Sequence, residues 1–312
     1  AFANAWGVPT ALSAVLIVIG LGFIIFGGVA RIARFAELVV PFMAVAYLLM
    51  AFTILLLNLA QVPHMLALIF GSAFGLNAAF GAVLGLAVEW GVKRGVYSNE
   101  AGQGTGPHPA AAAEVSHPAK QGYVQAFSVY VDTLLVCSAT AFMILSTGKY
   151  NVVHPDGSLI VNNLPGAETG PAYTQAAVES LIPGFGASFV ALALMFFAFT
   201  TIVAYYYMAE TNVQYVNRNV HRGWMLFVLK LVIMASVAYG AMRSARVAWA
   251  LGDLGVGLMA GLNIIAILLL QKPALLALED YEAQKRLGKD PVFDPQKLGI
   301  ANAQLWHEGK RR

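Results

Sequence analysis

The sequence is short of charge. Asp, Glu, Lys and Arg make up 11% of its 312 residues, against 59% apolar residues and a mean hydropathy of +0.69. An average soluble domain carries about a quarter charged residues, so this balance excludes a soluble fold and points to a chain embedded in a lipid bilayer. There is one cysteine, Cys137, inside an apolar segment, which rules out an internal disulfide framework and a cysteine zinc cluster. A charged n-region with a cleavage site is missing, and the chain starts AFANAWG without an initiator methionine, so the sequence reads as a fragment of a longer chain. Also missing are a nucleophile-base-acid order, a glycine-rich phosphate loop ending in Lys-Ser/Thr, and a His-Glu metal spacing. The reading is not an enzyme, with no organic cofactor. The net charge of +3 comes without a basic stripe interleaved with aromatics, which argues against nucleic acid as a partner.

What is present is a series of apolar runs. A span needs about twenty such residues to cross a hydrocarbon core of roughly 30 Å. Seven candidates emerge, at residues 8–30, 38–60, 66–88, 123–147, 183–208, 223–242 and 247–270. Pro41 is expected in the first turn of the second, where its missing N–H costs little. The third is interrupted and divides into halves near 65–74 and 80–90. Counting Lys and Arg in short loops sets orientation. One side holds Arg31, Arg34, Lys93, Arg94, Lys120, Arg218 and Arg222; the other holds Lys149, Arg243 and Arg246. The richer side is cytoplasmic, which puts the start of the chain outside and the tail inside, in a plasma (inner) membrane. Residues 271–312 hold fourteen of the thirty-five charged residues. Within them ALLALEDYEAQKRL reads as an amphipathic helix, on the membrane surface or simply solvated. The loop 148–175 is expected to cap the outer mouth.

The chain is organised around residues 91–122, GVKRGVYSNEAGQGTGPHPAAAAEVSHPAKQG, the longest polar, glycine-rich passage between two spans. It reads as structured irregular backbone, which membrane depth tolerates only where protein or a wet cavity satisfies the peptide groups. Just before it, Gly75, Asn77, Gly81 and Gly85 interrupt the third span. Glycine there permits an unwound middle whose peptide dipoles face a bound ion or zwitterion, making Gly75, Asn77 and Gly81 candidate substrate-binding residues. Close helix packing through small residues is the competing explanation. Thr200 and Thr201 place adjacent hydroxyls inside an apolar span. With the Phe197 carbonyl one turn back they offer three oxygens to a hard cation such as sodium, unless the hydroxyls merely bond their own helix. Asp132 lies about ten residues into the fourth span, beside Thr133. An intramembrane carboxylate is a functional candidate by default, with a structural partnership as the alternative. Ser98, Asn99 and Glu100 complete a set of candidate gating or structural polar groups. Glu89, Lys230 and Asp253 lie near the membrane faces as structural charges, and His108 and His117 are loop histidines without a carboxylate cluster beside them in sequence.

The passage 91–122 followed by VDTLLVCSATAFMIL resembles the central signature of the alanine or glycine:cation symporters, the sodium:alanine symporter family. GGVARIARFAELVVPFMAVAY and IFGSAFGLNAAFGAVLG support the likeness, which extends over essentially the whole chain. The resemblance implies an all-α polytopic membrane protein, a partial LeuT-like inverted-repeat transporter fold with about seven transmembrane helices, one of them discontinuous. On that reading residues 1–60 are the last two helices of the first repeat. Residues 61–270 are the second five-helix repeat, with a cytoplasmic loop at 91–122 and an external loop at 148–175, and residues 271–312 are a cytoplasmic tail. It implies a sodium site at Phe197, Thr200 and Thr201, Na⁺ as coupling ion, and alternating-access symport of a small neutral amino acid, alanine or glycine. The family's N-terminal half, with its own broken helix, does not occur in this sequence, and Gly104-Thr105 stands where the family pattern has Gly-Ser. A seven-helix membrane receptor or signalling protein fits the same topology and is the alternative.

Overall fold

In a computed structural model, residues 1–74, 84–153, 157–167, 170–220, 222–243, 245–303 and 306 are described. The chain divides into two compact units. The first comprises Ala1–Arg94 and Thr133–Leu251, the second Gly95–Asp132 and Gly252–Arg312.

The first unit is a helical assembly. Short α1 (Phe2–Trp6) ends at Gly7 and leads to α2 (Thr10–Ile25), then α3 (Val29–Leu57) and α4 (Val62–Ala73). α5 spans Leu84–Asn99. Later come α8 (Ser138–Ser146), α9 (Ala172–Glu179), α10 (Gly186–Asn217) and α11 (Trp224–Ala241). A small antiparallel hairpin, β1 (Asn151–Val153) with β2 (Leu159–Asn162), lies in the loop before α9. α10 is the helix the others gather on, since α1, α2, α3, α9 and α11 all pack against it.

Two apolar clusters divide its length. Toward its start, Val190 and Ala193 meet Tyr47, Ala51 and Ile54 of α3, Ala139 and Met143 of α8, and Val178 of α9. Toward its end, Val203 and Tyr206 meet Leu21, Ile24 and Ile25 of α2 and Ile32 of α3, with Phe199 and residues of α11 such as Leu229 and Ile233 around them. The outward faces are apolar as well, for example Leu38, Phe42 and Leu49 of α3 and Phe70 of α4. A helix apolar all round suits hydrocarbon, not water.

The second unit holds the short α6 (Pro107–Ala112), then α7 (Pro118–Tyr130). A π-helical segment, Val131–Cys137, connects α7 to α8. The last helix, α12, runs unbroken over Ala245–Arg286.

Several expectations need correction. Five described helices are long and apolar enough to cross a membrane, and Thr10–Ile25 and Leu59–Ala73 are shorter apolar helices. The expected third span falls across α4 and α5, and its central residues 75–83 lie outside the described residues. Pro41 sits in the interior of α3, because the break comes at Gly28 (φ 80°) and RIARFAE continues the helix. Nothing in that stretch is a helix breaker. The irregular part of 91–122 is smaller than expected, since α5 extends through Asn99. The segment 271–286 is the continuation of α12 through Pro273 and not a separate surface helix.

The α9–α10 corner is the tightest approach described. A Cβ on Gly186 would overlap the backbone of Val178 and Glu179. Glu179 fastens the same corner, with Oε1 accepting from the Gly184 amide and Oε2 from the Ala187 amide at 2.9 Å. Those amides, that of Ala187 foremost, hold its carboxyl below the usual carboxylate range. Gly186→Ala is expected to lower stability by about 1–3 kcal/mol in a thermal melt. Gly255→Ala, where nothing stands within 4 Å of the new methyl, is expected to leave the melt unchanged or raised.

Candidate substrate and ion site

In the middle of α10 the two threonine hydroxyls converge on one carbonyl. Thr201 Oγ1 donates to Phe197 O at 2.8 Å, and Thr200 Oγ1 donates to Phe197 O at 3.0 Å and to Phe196 O at 2.8 Å. Phe197, Thr200 and Thr201 are thus together, in the back-bonded arrangement that membrane threonines commonly adopt. Each hydroxyl oxygen keeps lone pairs, so the group gathers three oxygens on one helix without a formal charge, the carbonyl already accepting from both hydroxyls. This donor set suits a hard cation, which wants about six oxygens, so the rest of the shell must come from water or other segments.

The Phe197 ring packs edge-on against Tyr47 of α3, with centroids 5.4 Å apart. The Tyr47 hydroxyl lies 2.7 Å from Thr140 Oγ1 on α8. Tyr47, Thr140, Val136, Thr174, Val190, Leu194 and Phe197 line a cavity of about 400 Å³. It is mostly apolar with three hydroxyls on its wall, ample for a small zwitterion. Tyr47 and Thr140 were not singled out from the sequence. A tyrosine in an apolar run carries little pattern, and only tertiary packing of α3 on α8 brings the two hydroxyls together.

The candidate gating residues fall mainly in the second unit. Ser98 Oγ donates to Asp132 Oδ2 at 2.6 Å, so the carboxylate has a hydroxyl partner at the first residues of the π-helical segment. Thr133 follows it, its carbonyl accepting from Ser138 Oγ at 3.1 Å. Asn99 Oδ1 accepts from the Ala101 amide at 2.9 Å, and Glu100 takes φ 57° as the chain leaves α5. Gln103 and Thr105 are 2% and 3% exposed, and Gln103 Nε2 donates to Val96 O at 2.6 Å. Asn263 of α12, a single amide in an otherwise apolar run, donates to Gly102 O at 2.9 Å. Gly104, at φ 86°, lies so near that a Cβ would stand 3.1 Å from Asn263 Oδ1. The SNEAGQGTG loop is therefore fastened at Ser98, Gly102 and Gln103, and it lies close against Asn263 of α12. Gly75, Asn77 and Gly81 lie outside the described residues. Glu89 pairs with Lys93 at 2.6 Å on an exposed face, as a structural charge.

His117 departs most from expectation. It is 0% exposed, its Nε2 lies 3.5 Å from Asp280 Oδ2 of α12, and its ring packs against Tyr281 and Phe293. A carboxylate far away in sequence is thus close in space. Nδ1 accepts from the Ala119 amide at 3.2 Å and caps α7, which leaves the Nε2 proton facing Asp280. The post-helical segment straps onto the same place. Ser116 Oγ donates to Pro291 O, the Phe293 amide donates to Ser116 O, and Lys120 Nζ lies 2.6 Å from Asp290 Oδ1.

The described helices define a multi-pass membrane protein, with a threonine–carbonyl cluster on α10 and a cavity lined by Tyr47, Thr140 and Phe197. The model of the sodium:alanine symporter family matches residues 1–295. A protein of Bacillus subtilis named as a candidate sodium/proton-dependent alanine carrier is 60% identical over 99% of this chain. The sodium/proton-dependent alanine carrier protein of Bacillus sp. strain PS3 is 58% identical over 100% of it. The sodium/alanine symporter of Methanococcus maripaludis is 35% identical over 86%. This chain spans 65%, 70% and 56% of the lengths of these three relatives. The chain belongs to the sodium:alanine symporter family, which places it among membrane transporters and sets aside the receptor alternative.

Burial pushes the His117 imidazole below its ordinary value, against the opposing pull of Asp280. Protonating Nδ1 would also abolish its role as acceptor for the Ala119 amide. The released form takes up a proton more readily, so the strap is held fully above the free value of about 6.5 and loosens as pH falls through it. The protection of amides across residues 290–298, taken relative to their intrinsic exchange rate at each pH, is expected to fall between about pH 7.5 and about pH 5.5. His117→Asn, which can still cap α7, should remove that pH dependence.

Proposed function

We propose that the chain carries out sodium-coupled symport of small neutral amino acids, alanine or glycine, by alternating access. The observation that carries this reading is the convergence of Thr200 and Thr201 on the carbonyl of Phe197, a residue that also lines the cavity with Tyr47 and Thr140. In this reading Na⁺ sits on the three oxygens of α10, and the amino acid occupies space reached from the cavity. A zwitterion needs its carboxylate met by helix N-terminal amides or by the ion, and its amine met by carbonyls of unwound backbone. Gly75, Asn77 and Gly81, which lie outside the described residues, are the proposed substrate-binding positions. Residues 1–60 and 61–270 act as parts of two inverted LeuT-like repeats, with 271–312 as a cytoplasmic tail.

Binding of sodium stabilises the substrate-ready state, so the ion gradient drives uptake. The Ser98–Asp132 contact and the loop through Thr105 form the cytoplasmic gate. Asn99, Glu100 and Thr133 shape its backbone. The excess of Lys and Arg on one set of loops supports a chain start outside and a tail inside, in the plasma (inner) membrane.

The test is uptake of labelled alanine into proteoliposomes with and without an inward sodium gradient. Sodium-dependent uptake is expected. Thr200→Ala/Thr201→Ala is expected to raise the sodium concentration for half-maximal uptake about tenfold or more, since a bond to a charged group is worth about 1.5–3 kcal/mol. Uptake indifferent to sodium in the unaltered protein would refute the coupling.

A further inference from the structure

No residue lining the cavity of about 400 Å³ beside Tyr47 carries a formal charge. A net charge taken out of water without a partner is costly, so the space suits a ligand that is neutral overall. Its polar groups are of two kinds, donors on α9 and an acceptor on α3, with the aliphatic side chains of Val190 and Leu194 on the wall as well.

The donors belong to the first turn of α9, which lines the cavity through Pro171 and Thr174. Gln175 donates the first intrahelical bond, to Pro171 O at 2.9 Å. The amides of Ala172, Tyr173 and Thr174 come before it and have no carbonyl one turn back within the helix, and Pro171 supplies no side-chain cap. Thr174 is 7% exposed, and its hydroxyl makes no hydrogen bond among the described residues. A hydroxyl buried in this way is costly to leave unbonded. It stands with free amides at the positive end of a helix dipole, and that combination is what a carboxylate requires.

The acceptor follows from counting protons. Thr140 has one hydroxyl proton and donates it to Val136 O at 3.3 Å. The Tyr47 hydroxyl, 2.7 Å from the same Thr140 oxygen, is therefore the donor of that pair. With its proton committed to Thr140, the phenol oxygen keeps lone pairs for a donor in the cavity. An ammonium, which has three N–H groups and nothing to accept with, is the group such an oxygen takes.

We propose that this cavity is an amino-acid site in which Thr174 and the first amides of α9 hold the carboxylate, Tyr47 accepts from the ammonium, and Val190 and Leu194 face a small aliphatic side chain. Transport of the bound molecule rests on the symport reading, whereas its binding here does not. The experiment is equilibrium binding of labelled alanine to the purified protein in sodium-containing buffer, with a thermal melt of each variant. Saturable binding is expected, weakened about tenfold or more by Thr174→Val and by Tyr47→Phe, since each removes a hydrogen bond to a charged group. Thr174→Ser keeps the hydroxyl and should bind as the unaltered protein does. So should Thr147→Val, whose lost hydroxyl bonds the carbonyls of Met143 and Ile144 on its own helix. If the valine variant at 174 does not fold, Thr174→Ala is read in its place. No saturable binding by the unaltered protein, full-strength binding in Tyr47→Phe or in the variant lacking the 174 hydroxyl, or equal weakening in Thr174→Ser or Thr147→Val overturns the proposal. If binding behaves as expected and no sodium-driven uptake follows, the symport reading fails and the site stands. If uptake is sodium-driven and the variants bind alanine at full strength, the site fails and the symport reading stands.

Discussion

A peptide group placed in hydrocarbon has no water to bond, so nearly every backbone donor and acceptor at membrane depth must find its partner within the chain. That constraint explains why the described membrane-embedded segments are helices, and why their side-chain polarity is spent so sparingly. It also explains the habit of the hydroxyl residues. Thr53, Thr147, Thr200, Thr201, Thr211 and Ser236 each return a hydrogen bond to a carbonyl of the preceding turn. Polar atoms outside this pattern, such as the Tyr47 hydroxyl and the Glu210 carboxylate, stand out because the medium penalises them.

α10 is where those exceptions collect. Its first half faces the cavity and carries the paired threonines, and its second half carries the carboxylate that is 9% exposed. Five other helices pack on it, so its side chains are positioned by several elements at once. A site built on such a helix is more exact in geometry than one carried by a loop. The SNEAGQGTG loop reaches comparable order by another route, fastened by Gln103 to Val96 and by Asn263 to Gly102.

Much of this was legible in the sequence, because the apolar runs are long and the bilayer demands about twenty residues from each. The runs at 223–242 and 183–208 correspond closely to α11 and to most of α10. Helix ends were harder to read. α3, α10 and α12 continue past the lipid boundary into polar sequence, and hydropathy alone cannot see a helix that persists in water. This is why Glu210, just beyond the expected end at Met208, escaped notice. The threonine cluster was visible because its three members are neighbours in sequence. The His117–Asp280 pair and the Asn263 contact were not, since a separation of 161 or more residues leaves no local trace.

The length of α12 deserves a mechanical reading. Within the second unit alone it runs from Gly252 to Arg286, about 52 Å at the usual rise per residue, well beyond a hydrocarbon core. The Asn263–Gly102 bond lies near one end of this rod and the His117–Asp280 contact near the other, with Pro273 between them. A rod gripped at two heights turns rotation into travel. A tilt of about ten degrees displaces a point 30 Å along it by about 5 Å, roughly one helical pitch. Pro273, which leaves the carbonyl four residues earlier without its usual donor, is the one soft joint along that stretch. One continuous helix thus joins the SNEAGQGTG loop to the strap beyond its end, through contacts about 25 Å apart with a proline between them.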